Sequence, residues 1–166
     1  MTDREICGVL PVNKPAGMTS HDVVYKIRKL YGTKKVGHTG TLDPDARGLL
    51  IILIGRAAKA AEFVVAGKKF YRARLRLGIT TDTEDTSGTV LTECESIPDK
   101  SAVLAAAEKF KGEIMQVPPM YSALKVNGQK LCDLARKGIT VEREPRTVTV
   151  YSLEIDGDGR DYTLDV

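Results

Sequence analysis

The chain has 166 residues, 42% apolar and 28% charged, with a formal charge of +3, enough for one domain with a real core. No run of eighteen apolar residues occurs and residues 1–5 lack the pattern of a signal peptide, which argues for a cytoplasmic protein without a membrane span. Three widely spaced cysteines, Cys7, Cys94 and Cys132, and only two histidines, His21 and His38, argue for reduced thiols and against a disulfide framework or a zinc site.

Residues 8–12 read as a short strand, closed by Asn13-Lys14-Pro15-Ala16-Gly17. Thr19 or Ser20 can cap a helix reaching Tyr31, with Val23, Val24, Ile27, Leu30 and Tyr31 at helical spacing and Gly32 as its stop. Lys26, Arg28, Lys29, Lys34 and Lys35 decorate its far side and the loop that follows. The next loop carries two candidate chemical groups, His38 and Asp43, and leads straight into the apolar run 49–54. Pro44 biases Asp43 toward extended backbone, while Gly37, Gly40 and Gly48 permit tight or left-handed turns. The acid therefore reads as a carboxylate on a stiff turn at the mouth of a buried strand. On residue types alone an Asp-Pro in a loop is usually a turn or cap. Gly55 ends the strand, and residues 56–65 suit an alanine-rich helix.

Residues 69–77 alternate most clearly as a strand: Tyr71, Ala73, Leu75 and Leu77 share one face, and Phe70, Arg72, Arg74 and Arg76 the other. Tyr71 reads either as a core tyrosine or as a ring exposed by a cleft at the strand's start. The acidic, hydroxyl-rich loop 80–88 lacks both the carboxylate spacing and the closing glutamate of a calcium loop, so no metal is expected there. Residues 89–91 suit a strand, and Asp99 or Ser101 can cap a helix running through Phe110 to Gly112. Beyond Pro118-Pro119, a short amphipathic helix is predicted over 129–137, with Lys125, Lys130, Arg136 and Lys137 exposed around it. From Arg146 the pattern is that of a hairpin: Val148 and Val150 alternate, Gly157-Asp158-Gly159 turns, and Tyr162, Leu164 and Val166 alternate again. The pattern stops inside this last strand, and the expectation is a truncated chain. Strands with few helices predict an α+β domain on a mixed, largely antiparallel sheet flanked by helices.

Charge is segregated along the chain. Residues 22–76 hold thirteen Lys/Arg against four Asp/Glu, and residues 120–150 hold six against three. Residues 77–119 and 151–166 are net acidic, at −5 and −4. The two basic blocks could attract a polyanion, although solvated surface charge gives the same counts.

Five blocks then occur in order: Asn13-Lys-Pro-Ala-Gly-Met-Thr-Ser20, Gly37-His-Thr-Gly-Thr-Leu-Asp-Pro44, Lys69-Phe-Tyr-Arg72, Thr81-Asp-Thr-Glu-Asp85 and Pro119-Met-Tyr-Ser-Ala-Leu-Lys125. Together they resemble the TruB family of tRNA pseudouridine synthases, over nearly the whole of residues 1–166. The resemblance implies the pseudouridine synthase fold. It also implies an isomerase that converts the T-loop uridine at tRNA position 55 to pseudouridine, breaking the C1′–N1 bond and rejoining C1′ to C5. No cofactor is implied, because no free base is released and nothing is oxidised. By resemblance Asp43 matches the catalytic aspartate, Tyr71 the tyrosine that stacks on the target uracil, and His38 a histidine that contacts the T-loop. Lys14 and Pro15 match a motif that supports the active-site loop, and Asp85 could orient a catalytic arginine. Residues 120–141 resemble the family's RNA-gripping thumb, which makes Lys125, Lys130, Arg136 and Lys137 candidate RNA contacts.

The resemblance also marks a departure. In the family a Lys-Gly-Thr-Tyr-Ile-Arg-type block supplies an arginine that pairs with the aspartate and a tyrosine near the substrate, and this block is not among the 166 residues; nor is the family's small C-terminal RNA-binding domain. The expectation is an incomplete site, finished by a continuation of the chain or by a second polypeptide. The competing expectations are a non-catalytic module that grips or folds tRNA, and a guide-RNA-dependent relative. The thumb-like segment favours the autonomous enzyme.

Overall fold

The computed structural model describes residues 6–65 and 67–166. The chain divides into two compact units, one ending at Lys69 and the other beginning at Phe70. In the described residues every strand pairing is antiparallel, in line with the largely antiparallel α+β reading.

The first unit is a three-stranded sheet under one helix. Gly8–Lys14 (β1) pairs with Gly48–Ile54 (β3), which pairs on its other side with Val36–His38 (β2). Alternation puts Leu10, Val12, Leu50 and Ile52 on one face, and the helix Ser20–Tyr31 (α1) covers it with Val23 and Val24. Leu50, Ile52 and Val24 are almost completely buried, and burial of each such side chain contributes about 1.5–3 kcal/mol. The same period of two places Lys14 on this core face, beyond Val12 and opposite Gly48. The expected boundaries hold closely for β1, α1 and β3. Residues 56–65 differ: Gly55–Ala60 is a 3₁₀ turn, and only Ala61–Val65 (α2) is α-helical. Gly55 adopts φ +63°, and a Cβ there would run into the carbonyl of Ile6, so the turn requires glycine.

The second unit holds several small sheets. Arg72–Arg76 (β4) is an edge strand beside Asp161–Asp165, which pairs in turn with Glu154–Asp158. Ile79–Thr81 (β5) pairs with Val90–Glu93 (β6), and the helix Lys100–Glu108 (α3) follows, capped by Asp99. Gly112–Gln116 (β7), a strand not expected between Gly112 and Pro118-Pro119, pairs with Arg146–Val150. The hairpin expected from Arg146 is therefore corrected. Residues 146–150 belong to a different sheet, and the true hairpin joins 154–158 to 161–165 around Gly159-Arg160. Gly157 sits within the strand opposite Tyr162, where a Cβ would strike Asp161 and Tyr162 backbone. Tyr71 and Leu75 are exposed, and α3 packs on the 154–158 strand at the sheet's opposite edge.

Lys125–Val126 (β8) and Gln129–Lys130 (β9) form a two-residue hairpin through Asn127-Gly128, both at positive φ, as a type I′ turn demands. That turn takes residues 129 and 130 out of the predicted helix, which shrinks to Leu131–Ala135 (α4). Arg146–Val150, Glu154–Asp158 and Asp161–Asp165 complete the chain as β10, β11 and β12.

Helix α1 carries a reciprocal cap. Asp22 accepts from the Thr19 hydroxyl at 2.7 Å and the Thr19 amide at 2.8 Å, and Thr19 Oγ1 accepts from the Asp22 amide at 3.1 Å. The hydroxyl first, then the amide, holds the Asp22 carboxyl below the ordinary aspartate range. A depressed carboxylate contributes stability at neutral pH that is lost as pH falls through its folded-state value. The Tm difference between the native protein and Asp22→Asn should therefore be present at pH 7 and shrink as the pH drops below about 4. Thermal melts at a series of pH values measure it; a difference independent of pH would contradict the cap.

Candidate active site

The loop from His38 to Gly48 is held to the rest of its unit almost entirely through its main chain. At one end Thr39 N–H donates to Ile51 O at 3.1 Å. At the next point Ser20 Oγ accepts from Leu42 N–H at 2.9 Å and donates to Leu42 O at 3.1 Å, while the Leu42 side chain packs against the α1–β3 core. Asp43 O accepts from Ala46 N–H at 3.1 Å, closing a turn. Pro44 O accepts two hydrogen bonds, from Gly17 N–H at 2.9 Å and from Lys14 Nζ at 3.1 Å.

Lys14 is completely buried. Its ammonium has three hydrogens, and it meets three carbonyls: Met18 O at 2.7 Å, Pro15 O at 3.0 Å and Pro44 O at 3.1 Å. An ammonium on the core face of a strand is tolerated only when every N–H has a partner, and here the partners are the turn 15–18 and the Asp43 loop. The expectation that Lys14 supports this loop thus has a definite geometry.

Between these anchors the Asp43 side chain is exposed and makes no ion pair among the described residues. His38 ends β2 opposite Ile52; it is half-buried, and its Nδ1 is enclosed without a hydrogen-bond partner. The same unit has a second feature that the sequence reading left in its count of charges. A cleft beside β2 and the 3₁₀ turn is lined by Lys34, Lys35, Arg56 and Lys59 over a floor of Val36, Gly55 and Ala58. Arg56 and Lys59 had no local signal beyond the net charge of residues 22–76. Four cations around one open cleft suit a phosphate-bearing ligand.

In the second unit Tyr71 sits just ahead of β4. Its backbone exchanges hydrogen bonds of 2.7 and 2.9 Å with Val166, and the residue is 47% exposed, so it is not a core tyrosine. Asp85 lies in the loop between β5 and β6. Its Oδ1 accepts from Ser87 Oγ at 2.6 Å, Thr83 Oγ1 at 2.7 Å and Ser87 N–H at 2.8 Å. The hydroxyls of Ser87 and Thr83 keep this carboxyl well ionised, below the ordinary aspartate range. In the thumb-like segment Lys125 and Lys130 are directly opposite each other across the β8–β9 hairpin. Like charges facing across an antiparallel pair repel, so this hairpin places two cations together at some cost. Arg136 is partly balanced by Asp133 at 3.4 Å, and Lys137 is exposed without an ion pair among the described residues.

Among the described residues no helix is long and apolar enough to cross a membrane. Residues 28–166 match the family model described as TruB family pseudouridylate synthase (N terminal domain). The tRNA pseudouridine synthase B of Clostridium kluyveri is 55% identical over 148 residues, covering 89% of this chain and 51% of that protein. The protein of the same name from Bacillus licheniformis is 51% identical, covering 92% of this chain and 50% of the relative. The chain thus spans about half the length of the curated relatives it matches. Among solved structures, a chain from the crystal structure of a Cbf5-Nop10-Gar1 complex superposes with a TM-score of 0.69 at 30% identity, over 95% of this chain and 38% of that one. A chain from the structure of an H/ACA RNP bound to a substrate RNA containing 2′-deoxyuridine gives 0.63 at 26% identity, over 95% and 36%.

The Lys14 geometry yields a prediction of its own. Lys14→Met would leave the carbonyls of Pro15 and Met18 without this donor and should destabilise the protein by about 2–4 kcal/mol. Lys14→Arg should not restore it, because a planar guanidinium cannot meet three carbonyls converging on one point. Urea titration of both variants decides it; an arginine variant as stable as the native protein would contradict the three-carbonyl cage.

Proposed function

The chain belongs to the TruB family of pseudouridylate synthases, and from that premise we propose that it acts in the cytoplasm on tRNA, isomerising the T-loop uridine to pseudouridine. The observation that carries this reading is the exposed, unpaired Asp43 carboxylate, set on a main chain pinned by Ser20, Lys14 and Gly17. A main chain so held fixes the position from which the carboxylate can reach C1′ of a nucleotide, which is what glycosidic chemistry requires. Its identity relations point the same way, since relatives at 51–55% identity are named tRNA pseudouridine synthase B.

In the proposed reaction Asp43, ionised, stabilises or traps the positive character that develops at C1′ as the bond to N1 breaks. The uracil stays bound and turns, C5 bonds to C1′, C5 gives up its hydrogen as a proton, and N1 gains one. Tyr71, exposed at the start of β4, is assigned the face of the target base. His38, half-buried at the end of β2, is assigned a contact to the T-loop. Lys125, Lys130, Arg136 and Lys137 grip backbone phosphates, and the cleft of Lys34, Lys35, Arg56 and Lys59 adds a second cationic surface. No cofactor is assigned a role. Asp85, anionic and with one oxygen committed to its own loop, is assigned the orientation of an arginine. That arginine is in turn the proposed partner of Asp43, supplied from outside these residues by further chain or a second polypeptide.

The likeness to Cbf5-containing assemblies keeps a guide-RNA-dependent activity as the second reading. The facing lysines of the β8–β9 hairpin favour direct tRNA binding over substrate positioning by partners.

Tritium release from C5-labelled T-arm RNA tests the proposal on the intact protein. Asp43→Asn should lower the rate at least about 10⁴-fold while RNA affinity is kept. Binding without any release by the native protein would favour a role in tRNA folding instead. Asp85→Ala should slow catalysis more than it weakens binding; equal losses would refute its assignment to an arginine. Affinity should fall steeply with salt, by about an order of magnitude or more between 50 and 200 mM, if several phosphate contacts are made.

A further inference from the structure

The direction in which Asp43 projects its carboxylate depends on the two peptide planes that meet at its Cα. The plane on the C-terminal side carries Asp43 O, held by Ala46 N–H, and the plane after it carries Pro44 O, held by Lys14 and Gly17. The plane on the N-terminal side carries Leu42 O, whose hydrogen bond comes from a single atom, Ser20 Oγ. The same oxygen also takes the Leu42 N–H, so one hydroxyl fixes both polar groups of the residue before the acid, 22 positions away in sequence. A hydroxyl is suited to this because it donates and accepts at one atom. Ser20 is 2% exposed, so water cannot readily replace it.

We infer that Ser20 is a positioning residue for the reaction: through the Leu42 peptide it sets the backbone angle φ of Asp43, and so the aim of the carboxylate. This rests on the reading of Asp43 as the reacting group. The helix-capping job at this end of α1 belongs to Thr19, which leaves the Ser20 side chain committed to the loop. Removing the hydroxyl frees the plane before Asp43 and, with the Leu42 amide, the plane before that. Lys14 and Gly17 still hold Pro44, and the Leu42 side chain still packs on the core. The loop therefore stays in place while the acid loses its aim, and a small misalignment of a reacting group costs far more in rate than in binding.

The experiment compares Ser20→Ala and Ser20→Thr with the native protein by three measurements: amide hydrogen exchange in residues 39–46, single-turnover tritium release, and T-arm RNA affinity. In Ser20→Ala the Leu42 amide should exchange at least about tenfold faster, in keeping with loss of a buried hydrogen bond. The single-turnover rate should fall about 10- to 100-fold with affinity changed less than about two-fold. Ser20→Thr, which keeps the hydroxyl, should recover most of both the protection and the rate. Unchanged exchange at Leu42 would overturn the inference, as would rate and affinity falling together in step with Tm. Should Ser20→Ala not fold, Ser20→Cys, with a weaker donor and acceptor, is read by the same criteria. A native protein that forms no pseudouridine would refute the proposed function, while the exchange measurement would still decide whether Ser20 holds the Asp43 loop.

Discussion

The ammonium of Lys14 is the contact on which the candidate site depends. It stands at the end of β1 on the face that would otherwise continue the apolar core, and water does not reach it there. The free energy lost in burying it is offset only if all three hydrogens find oxygens, and the chain supplies those oxygens from two places that are otherwise joined by the Gly17 N–H to Pro44 O bond. Two come from the turn that leads into α1, and the third comes from Pro44, thirty residues on. The requirement to satisfy one buried charge thus determines where the loop bearing Asp43 passes.

From this contact the rest of the first unit follows in order. The turn at 15–18 delivers α1 across the sheet, with Thr19 and Asp22 closing its first turn. The helix then presents Ser20 to the far side of the same loop. Asp43 is left exposed between two buried anchors, which is an economical way to fix a polar group without burying it. Had the carboxylate itself been used to hold the loop, as Asp85 and Asp22 are in theirs, it would be committed to its own amides and hydroxyls.

What was legible in the sequence divides along the range of the interaction. Helix α1 could be read because Thr19, the apolar spacing and Gly32 all lie within the helix or beside it. The strand 48–54 announced itself by an unbroken apolar run, and Asp43 by its place between glycines and a proline. Strand β7 was missed because Gly112–Gln116 has no alternation of its own; it becomes a strand by pairing with residues 146–150. The Asn127-Gly128 turn carries a local signal, an Asn-Gly pair suited to positive φ at both positions. Ser20 looked like a helix cap, which is what a serine in that position usually is, and its partner 22 residues away left no trace nearby. The exposure of Tyr71 left no trace in the alternation of residues 69–77, which fixes what shares a face but not whether that face is covered.

The facing pair Lys125 and Lys130 gives the thumb-like hairpin an unusual relation to its solvent. Their mutual repulsion opposes closure of the turn, and dissolved ions weaken that repulsion over a Debye length of about 10 Å at 0.1 M. Added salt therefore favours the paired hairpin. An anion held between the two ammonium groups would relieve the same repulsion directly.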